Sequence, residues 1–396
     1  MLQAEANPTI EAASETQVVR AIEHAIESGV PLIDYGVVHA TLGHPSPQTH
    51  TRLQQSGGVI EHEPEAYTVR VAGGCTIGDL HRTLASVGQF LALDAEDDQT
   101  ISEVLAHHVH GPLRVGYGEL RDMVQALTLV DGRGQTHHLT RQAPTSIEGR
   151  NLLHEVVGGL GELGVITEAT LQTHPVPPGA LGVDLSLDDP QRIDDLLPRW
   201  LETDARPDWL MLTKEDHRFV CRVGYFGSSG HCMIKLRSLE TLLHTGLGVR
   251  IIGTGSDTFE RDRLRRGMRG AWRRVVPALV EISAPSSSTG FICHAMAEHP
   301  RTDPDRQIEA YPVQGAVYVG GPLNPDAARR LDAQIDHVTQ PVEGSRVWHR
   351  MPIGTDDLTP CAPLPDDYAQ RCALKRTLDP HGVLNPGRFL RSDMSA

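Results

Sequence analysis

Three prolines fall within four positions, Pro175, Pro177 and Pro178. No helix interior or central strand runs through such a cluster, because each ring removes an N–H donor and fixes its own φ. The chain is therefore cut near residue 176, and its 396 residues leave room for two or three domains. Upstream of the cut, Ser14 and Gln17 form a capping box ahead of Val18, Ile22, Ala25 and Ile26 at helical spacing, with Gly29 as the left-handed stop. Residues 31–36 read as a short strand entering a turn. Residues 67–72 alternate as a strand, run into Gly73-Gly74, and lead to a helix capped by Thr76. Residues 124–130 and 135–139 flank Asp131-Gly132-Arg133-Gly134 as a hairpin. A helix is expected over 151–160 and a strand over 165–172. Downstream, residues 180–253 read as strand, helix, strand, strand, helix, strand, which is the ferredoxin-like order. Residues 284–311 read as loop-rich, and no internal repeat is visible in the sequence.

Composition narrows the function. Asp plus Glu outnumber Lys plus Arg, 51 to 36, for a net charge of −15. A general nucleic-acid binder needs a basic face, so that class is disfavoured. No apolar run approaches the ~18 residues of a membrane span, and the N-terminus has no basic start or apolar stretch, so neither a transmembrane segment nor a cleaved signal is expected. The six cysteines, Cys75, Cys221, Cys232, Cys293, Cys361 and Cys372, form no CxxC pair. Reduced structural thiols in a cytoplasmic protein are the expectation, with no zinc or iron–sulfur site on this chain. His107, His108 and His110 are adjacent rather than spaced for one ion, and no metal site is assigned. There is no nucleophile elbow, Walker loop or HExxH segment.

Four segments taken together carry more. They are VRVAGGCTIGDLHRTLASVGQFLALD (69–94), YGELRDMVQALTLVDGRGQ (117–135), GRNLLHEVVGGLGELGVITEATLQTHP (149–175) and LKRTLDPHGVLNPGRF (374–389). In this order they resemble the FAD-binding oxidoreductase superfamily with its PCMH-type FAD domain, typified by vanillyl-alcohol oxidase and D-lactate dehydrogenase. The size and the single FAD-type domain most resemble the FAD-binding subunit of glycolate oxidase. The fold implied is α+β: a two-part FAD-binding domain over 15–175, a cap with a ferredoxin-like sheet over 176–340, and a C-terminal segment, 341–396, that returns to the first domain.

The resemblance implies FAD as cofactor. It places the dinucleotide against Gly36, Val37, Val38 and His39 after the first strand, against Thr100, Ile101 and Ser102, and against Gly111. Tyr117, Arg121 and Asp122 line the flavin pocket or, for Arg121 and Asp122, hold the base of the hairpin; Gly164, Val165 and Ile166 lie toward the adenine and ribose, and Gly149 is a further cofactor-side position. Two of these stretches depart from the family. Val37-Val38 stand in a glycine run, and β-branched residues resist positive φ. Ser102-Glu103 replace the paired glycines of the second loop, and a carboxylate ~5 Å from a phosphate costs about 3 kcal/mol at an effective dielectric of 20. Arg150 is a candidate to offset lost phosphate contacts.

The activity implied is oxidation of a small 2-hydroxy acid by an FAD-linked subunit. Electrons would pass to a partner, with a second flavoprotein subunit and an iron–sulfur subunit as the implied company. No catalytic base is assigned; His294 and His349 are candidates by residue type. The Arg-rich run 261–274 is a solvated helix face or a surface for a partner subunit. The altered loops keep an alternative open, a degenerate FAD-free structural or assembly subunit of such a complex, and a third reading is a small-ligand binding module.

Overall fold

The Ser14 hydroxyl accepts the Gln17 N–H, and the first helix runs from there until Gly29 turns left-handed at φ 67°. The computed structural model describes residues 7–34, 50–109, 111–147, 149–244, 248–256, 271–298, 305–355, 357–387 and 390. The chain divides into two units. One holds 1–110, 119–176 and 364–396, and the other holds 111–118 and 177–363.

Among its described residues the first unit contains two larger sheets and two short two-stranded pairs, 146–147 with 150–151 and 89–90 with 174–175. β1 (Thr9–Ala12), β2 (Leu32–Asp34) and β3 (Thr51–Gln55) lie parallel, with β3 central. α1 (Glu15–Ser28) seals this sheet by burying Val18, Ala21, Ile22 and Ala25 against Leu32 and Leu53. The second sheet is antiparallel. It comprises β4 (Val59–Glu63), β5 (Thr68–Ala72), β6 (Val124–Val130), β7 (Thr136–Thr140) and β8 (Val165–Gln172), in the order β4-β5-β8-β6-β7. α2 (Ile77–Ala85) follows β5 on its Thr76 cap, and α3 (Ile101–Ala106) follows on a Thr100 cap. The β6–β7 turn is built by Asp131, whose buried carboxylate accepts the N–H groups of Arg133 and Gln135 at 2.9 and 3.0 Å.

The helix expected over 151–160 is shorter than its sequence pattern. As α4 it spans Leu152–Val156 on an Asn151 cap. Gly158, Leu160 and Gly161 all take positive φ, and Arg121 grips the Val157 carbonyl. Those left-handed residues end the helix where the apolar spacing alone would continue it.

The second unit is built on a nine-stranded sheet. β9 (Ala180–Leu187), α5 (Arg192–Leu201), β10 (Trp209–Glu215), β11 (Arg218–Phe226), α6 (Ser229–Leu243) and β12 (Val249–Ser256) make one βαββαβ module, ordered β12-β9-β11-β10. This is the ferredoxin-like module read from the sequence. The structure then repeats it. β13 (Ala278–Ser283), α7 (Thr289–Ala297), β14 (Gln307–Tyr311), β15 (Ala316–Gly321), α8 (Pro325–Thr339) and β16 (Ser345–Arg350) are ordered β14-β15-β13-β16. The modules join through β10 and β14, Leu212 opposite Ala310 and Thr213 opposite Glu309. One core, including Leu185, Trp200, Leu239, Ile282, Met296 and Ile335, runs under the helices of both. The stretch 284–311 is therefore not a loop. Its helix α7 is capped from a distance: the Asp194 carboxylate of α5 accepts the Gly290 and Phe291 N–H groups at 2.7 and 2.9 Å.

A short strand β17 (Cys361–Ala362) pairs with β16 at the sheet edge. The chain re-enters the first unit at residue 364 and forms α9 (Tyr368–Leu378) there. No described helix is long and apolar enough to cross a membrane.

Candidate functional site

Open parallel sheets bind ligands beyond the carboxyl ends of their strands. In the first unit, β2 ends at Asp34 and β3 at Gln55. Ser102, at the start of α3, meets both. Its hydroxyl donates to the Asp34 carboxylate at 2.7 Å, and the Gln55 amide donates to Asp34 and to Ser102, each at 3.2 Å. Asp34 is 6% exposed and Ser102 2%. The backbone around them is interlocked. The Ile101 N–H donates to the Cys75 carbonyl at 2.9 Å, the Ser102 N–H to the Gly73 carbonyl at 2.8 Å, and the Glu103 N–H to the Thr100 hydroxyl at 3.2 Å. Gly73 and Gly74 are required by this closeness. A Cβ at Gly73 would lie 2.3 Å from the Ile166 carbonyl oxygen, and one at Gly74 2.5 Å from the Gln55 carbonyl.

The residues marked in the sequence separate into groups. Gly36, Val37, Val38 and His39 lie outside the described residues. Thr100, Ile101 and Ser102 form the turn just described. Gly164, Val165 and Ile166 open β8 beside it, and a Cβ at Gly164 would strike the Leu129 side chain at 2.6 Å, so packing accounts for that glycine. Arg121 donates Nε and Nη2 to the Val157 carbonyl at 3.2 and 2.9 Å. Asp122 accepts the Glu119 N–H and pairs with Arg141, as a short helical cap at the base of the hairpin. Gly149 takes φ 76° ahead of Arg150. Gly111 and Tyr117 lie in the second unit. There the Gln314 amide reaches the Gly111 carbonyl at 3.5 Å, and the Tyr117 ring stands 6.3 Å from that of Phe226. Burial, with the charge of Asp208 adding to it, pushes the Tyr117 hydroxyl up to about 12.

Arg150 is not available to a phosphate as the sequence reading allowed. Its guanidinium is committed to Glu155 at 2.7 Å and to Asp367 at 2.6 Å, tying the 149–151 segment to α9. The motif near the C-terminus has a similar anchoring role, through Lys375 and Asp379, which the sequence reading did not single out. The Lys375 ammonium is buried and donates to the Glu162 carbonyl, the Asp379 carboxylate and the Leu384 carbonyl at 2.6, 2.6 and 2.8 Å.

The second unit carries a polar cluster on the sheet face away from α5, α6, α7 and α8, and a short helix, Ala271–Val275, brings Trp272 and Arg273 to it. Strand alternation sets Glu281, Glu309, Tyr311, Tyr318 and His349 on that side, with Glu309 and Glu281 each opposite Tyr318. The Tyr311 hydroxyl donates to Glu309 at 2.6 Å, and the Trp272 indole donates to the other oxygen at 2.8 Å. The Arg273 guanidinium donates to the Tyr311 hydroxyl at 2.8 Å and lies 4.3 Å from the Tyr318 ring centroid. Burial alone would lower the guanidinium's pKa, but Tyr311, Glu309, Tyr318 and Glu281 around it raise it. His349 Nε2 sits 2.8 Å from the Glu281 carboxylate, which orients the ring. His294 differs: it bridges Asp189 and Glu298 at the surface of α7, at 3.2 and 3.1 Å. Period-two alternation in residues 278–349 could have flagged this face, but only the pairing of distant strands assembles it.

Residues 7–140 match the family described as "FAD binding domain". The chain is 30% identical to the mitochondrial D-lactate dehydrogenase [cytochrome] of Arabidopsis thaliana over 173 residues, 41% of this chain and 30% of that one. It is 24% identical to the glycolate oxidase subunit GlcE of Escherichia coli (strain K12) over 170 residues, 42% of this chain and 49% of that one. It is 23% identical to a D-2-hydroxyglutarate dehydrogenase of Xanthomonas citri pv. viticola over 369 residues, 82% of this chain and 76% of that one. Thus the match spans less than half of the length of the first two. A solved structure of alkyldihydroxyacetonephosphate synthase superposes with a TM-score of 0.69 at 16% identity, covering 97% of this chain and 78% of that one, which is a likeness of fold.

Proposed function

We propose that the chain is an FAD-binding oxidoreductase that oxidises a small 2-hydroxy acid and passes the electrons to a partner protein, on the match of residues 7–140 to the FAD binding domain family and on the relatives named above. The observation that carries this reading is the alignment with D-2-hydroxyglutarate dehydrogenase, which spans 82% of the chain and so reaches into both units. The three relatives named above share one chemistry by their names, a carboxylate beside a carbinol carbon. When bound, the flavin supplies the hydride acceptor.

Removing two electrons from a carbinol also releases the hydroxyl proton, and the acid's carboxylate calls for a cation. The second unit offers both kinds of group on one face. His349, oriented by Glu281, is a side chain of the type that takes a proton from a hydroxyl, and Arg273 is a guanidinium held among tyrosines. His294, exposed between two carboxylates, has no such setting.

The first unit supplies the frame for FAD. Its parallel and antiparallel sheets and the interlocked glycines fit the match over residues 7–140. The turn at Thr100–Ser102 departs from that fit, because its N–H groups are already engaged within the chain. Within the first unit, the dinucleotide is proposed to lie along Thr100–Ser102, Gly149 and Gly164–Ile166, with Arg121 and Asp122 toward the flavin. A second flavoprotein subunit and an iron–sulfur subunit are the proposed company, in the cytoplasm, as the resemblance of the four sequence segments implies; the relative from Escherichia coli is by its name a subunit.

The test is anaerobic. The purified chain, equilibrated with FAD, is mixed in turn with glycolate, D-lactate and D-2-hydroxyglutarate. Bleaching of the flavin's visible band by at least one of them supports the reading. A flavin that binds and stays oxidised with every acid removes it.

A further inference from the structure

At the carboxyl ends of β2 and β3, where a parallel sheet receives a ligand, this chain places a buried carboxyl group. Asp34 closes β2, accepts the Ser102 hydroxyl at 2.7 Å and the Gln55 amide at 3.2 Å, and is 6% exposed. The donors that a diphosphate would need at this turn are spoken for. The N–H groups of Ile101, Ser102 and Glu103 all donate to oxygens of the chain, and the Ser102 hydroxyl donates to Asp34. Glu103, the next residue, is itself 7% exposed and adds a second carboxylate.

We infer that Asp34, together with Ser102, occupies the hydrogen-bonding positions a dinucleotide diphosphate would use, so that this chain takes up FAD weakly and reversibly and Asp34 sets the affinity. The inference rests on the FAD reading above and adds a residue that opposes the cofactor. Two like charges brought within a few ångströms at the edge of a protein repel strongly enough to change a dissociation constant by about 10- to 100-fold. Neutralising Asp34 removes that repulsion and leaves Oδ1 of an asparagine to accept from Ser102. The expectation is therefore specific to the phosphates. Affinity for FAD rises, and affinity for riboflavin, which carries none, does not.

The experiment measures equilibrium dissociation constants for FAD and riboflavin by quenching of flavin fluorescence, in the full chain and in Asp34→Asn. Asp34→Ser serves as a second variant, and circular dichroism verifies that each is folded. At least tenfold tighter FAD binding in a folded variant, with riboflavin unchanged, supports the inference. Equal or weaker FAD binding in the variants, with the unaltered chain binding FAD, overturns it and leaves the FAD reading standing. Equal gains for FAD and riboflavin also overturn it, since the effect would not lie at the phosphates. No FAD binding in any of the three proteins overturns both.

Discussion

The Lys375 ammonium and the Asp379 carboxylate meet at 2.6 Å inside the first unit, one turn apart on and just beyond α9. Asp379 in turn accepts the N–H groups of Val383 and Leu384, so this one pair folds the last segment of the chain back on itself. Breaking a buried pair by removing one partner costs about 3–5 kcal/mol, because the other charge stays buried. Lys375→Met is expected to lower stability by that amount in denaturant melts, and Lys375→Met combined with Asp379→Asn to lower it by less than the sum of the two single changes.

Arg150 gives a prediction that separates structure from cofactor. With its guanidinium bound to Glu155 and Asp367 and 15% exposed, Arg150→Ala is expected to destabilise the first unit by about 3 kcal/mol. FAD affinity per folded molecule is expected to stay within about threefold of the unaltered chain. A large loss of affinity in a variant that remains fully folded would restore Arg150 as a phosphate contact.

Asp194 makes stability pH-dependent in one direction. Burial pushes its carboxyl up to about 6; the N–H groups of Gly290 and Phe291 pull against that, and Asp195 and Asp189 add to it. The unfolded chain gives up this proton near 3.8 and the folded chain near 6, so folding favours the protonated form. Stability from this group is full below pH 3.8 and is lost as pH rises toward 6. Relative to Asp194→Asn, the unaltered chain is expected to lose stability across that window and to keep a constant difference above it.

Asp131 runs the other way. Burial would raise its carboxyl, but bonds from His137, from Arg133 and from the N–H groups of Gln135 and Arg133 hold it below the usual range. Its contribution is present above the unfolded value of 3.8 and is lost as pH falls through the lower folded value. Asp131→Ala is expected to cost about 2–3 kcal/mol at neutral pH, and its melting temperature is expected to converge on that of the unaltered chain in acid.

For the chemistry, His349→Gln is expected to lower the rate of flavin reduction by about 100- to 10,000-fold, the usual worth of a general base. His294→Gln is expected to leave that rate within about twofold. Stopped-flow reduction under anaerobic conditions compares the two directly.

Much of the architecture was legible because its signals are local. Ser14 and Thr76 cap the helices they precede. The turn at Asp131 and the first βαββαβ module follow from alternation and turn residues. The second module escaped because its signals are not local. Helix α7 takes its cap from Asp194, almost a hundred residues earlier, and Ser288 makes no side-chain cap. The site was less legible for the same reason. Asp34, Gln55 and Ser102 come together from three separate elements, and Arg150 looked like a free cation until Asp367, more than two hundred residues later, was seen to hold it.

The most direct test of the central claim is a spectral titration of the purified chain with FAD, followed without desalting by anaerobic addition of D-lactate, glycolate and D-2-hydroxyglutarate. The account predicts saturable binding of one FAD per chain, with a flavin spectrum perturbed from that of free FAD, and bleaching by at least one of the acids. A spectrum that remains that of free FAD at every concentration would contradict it.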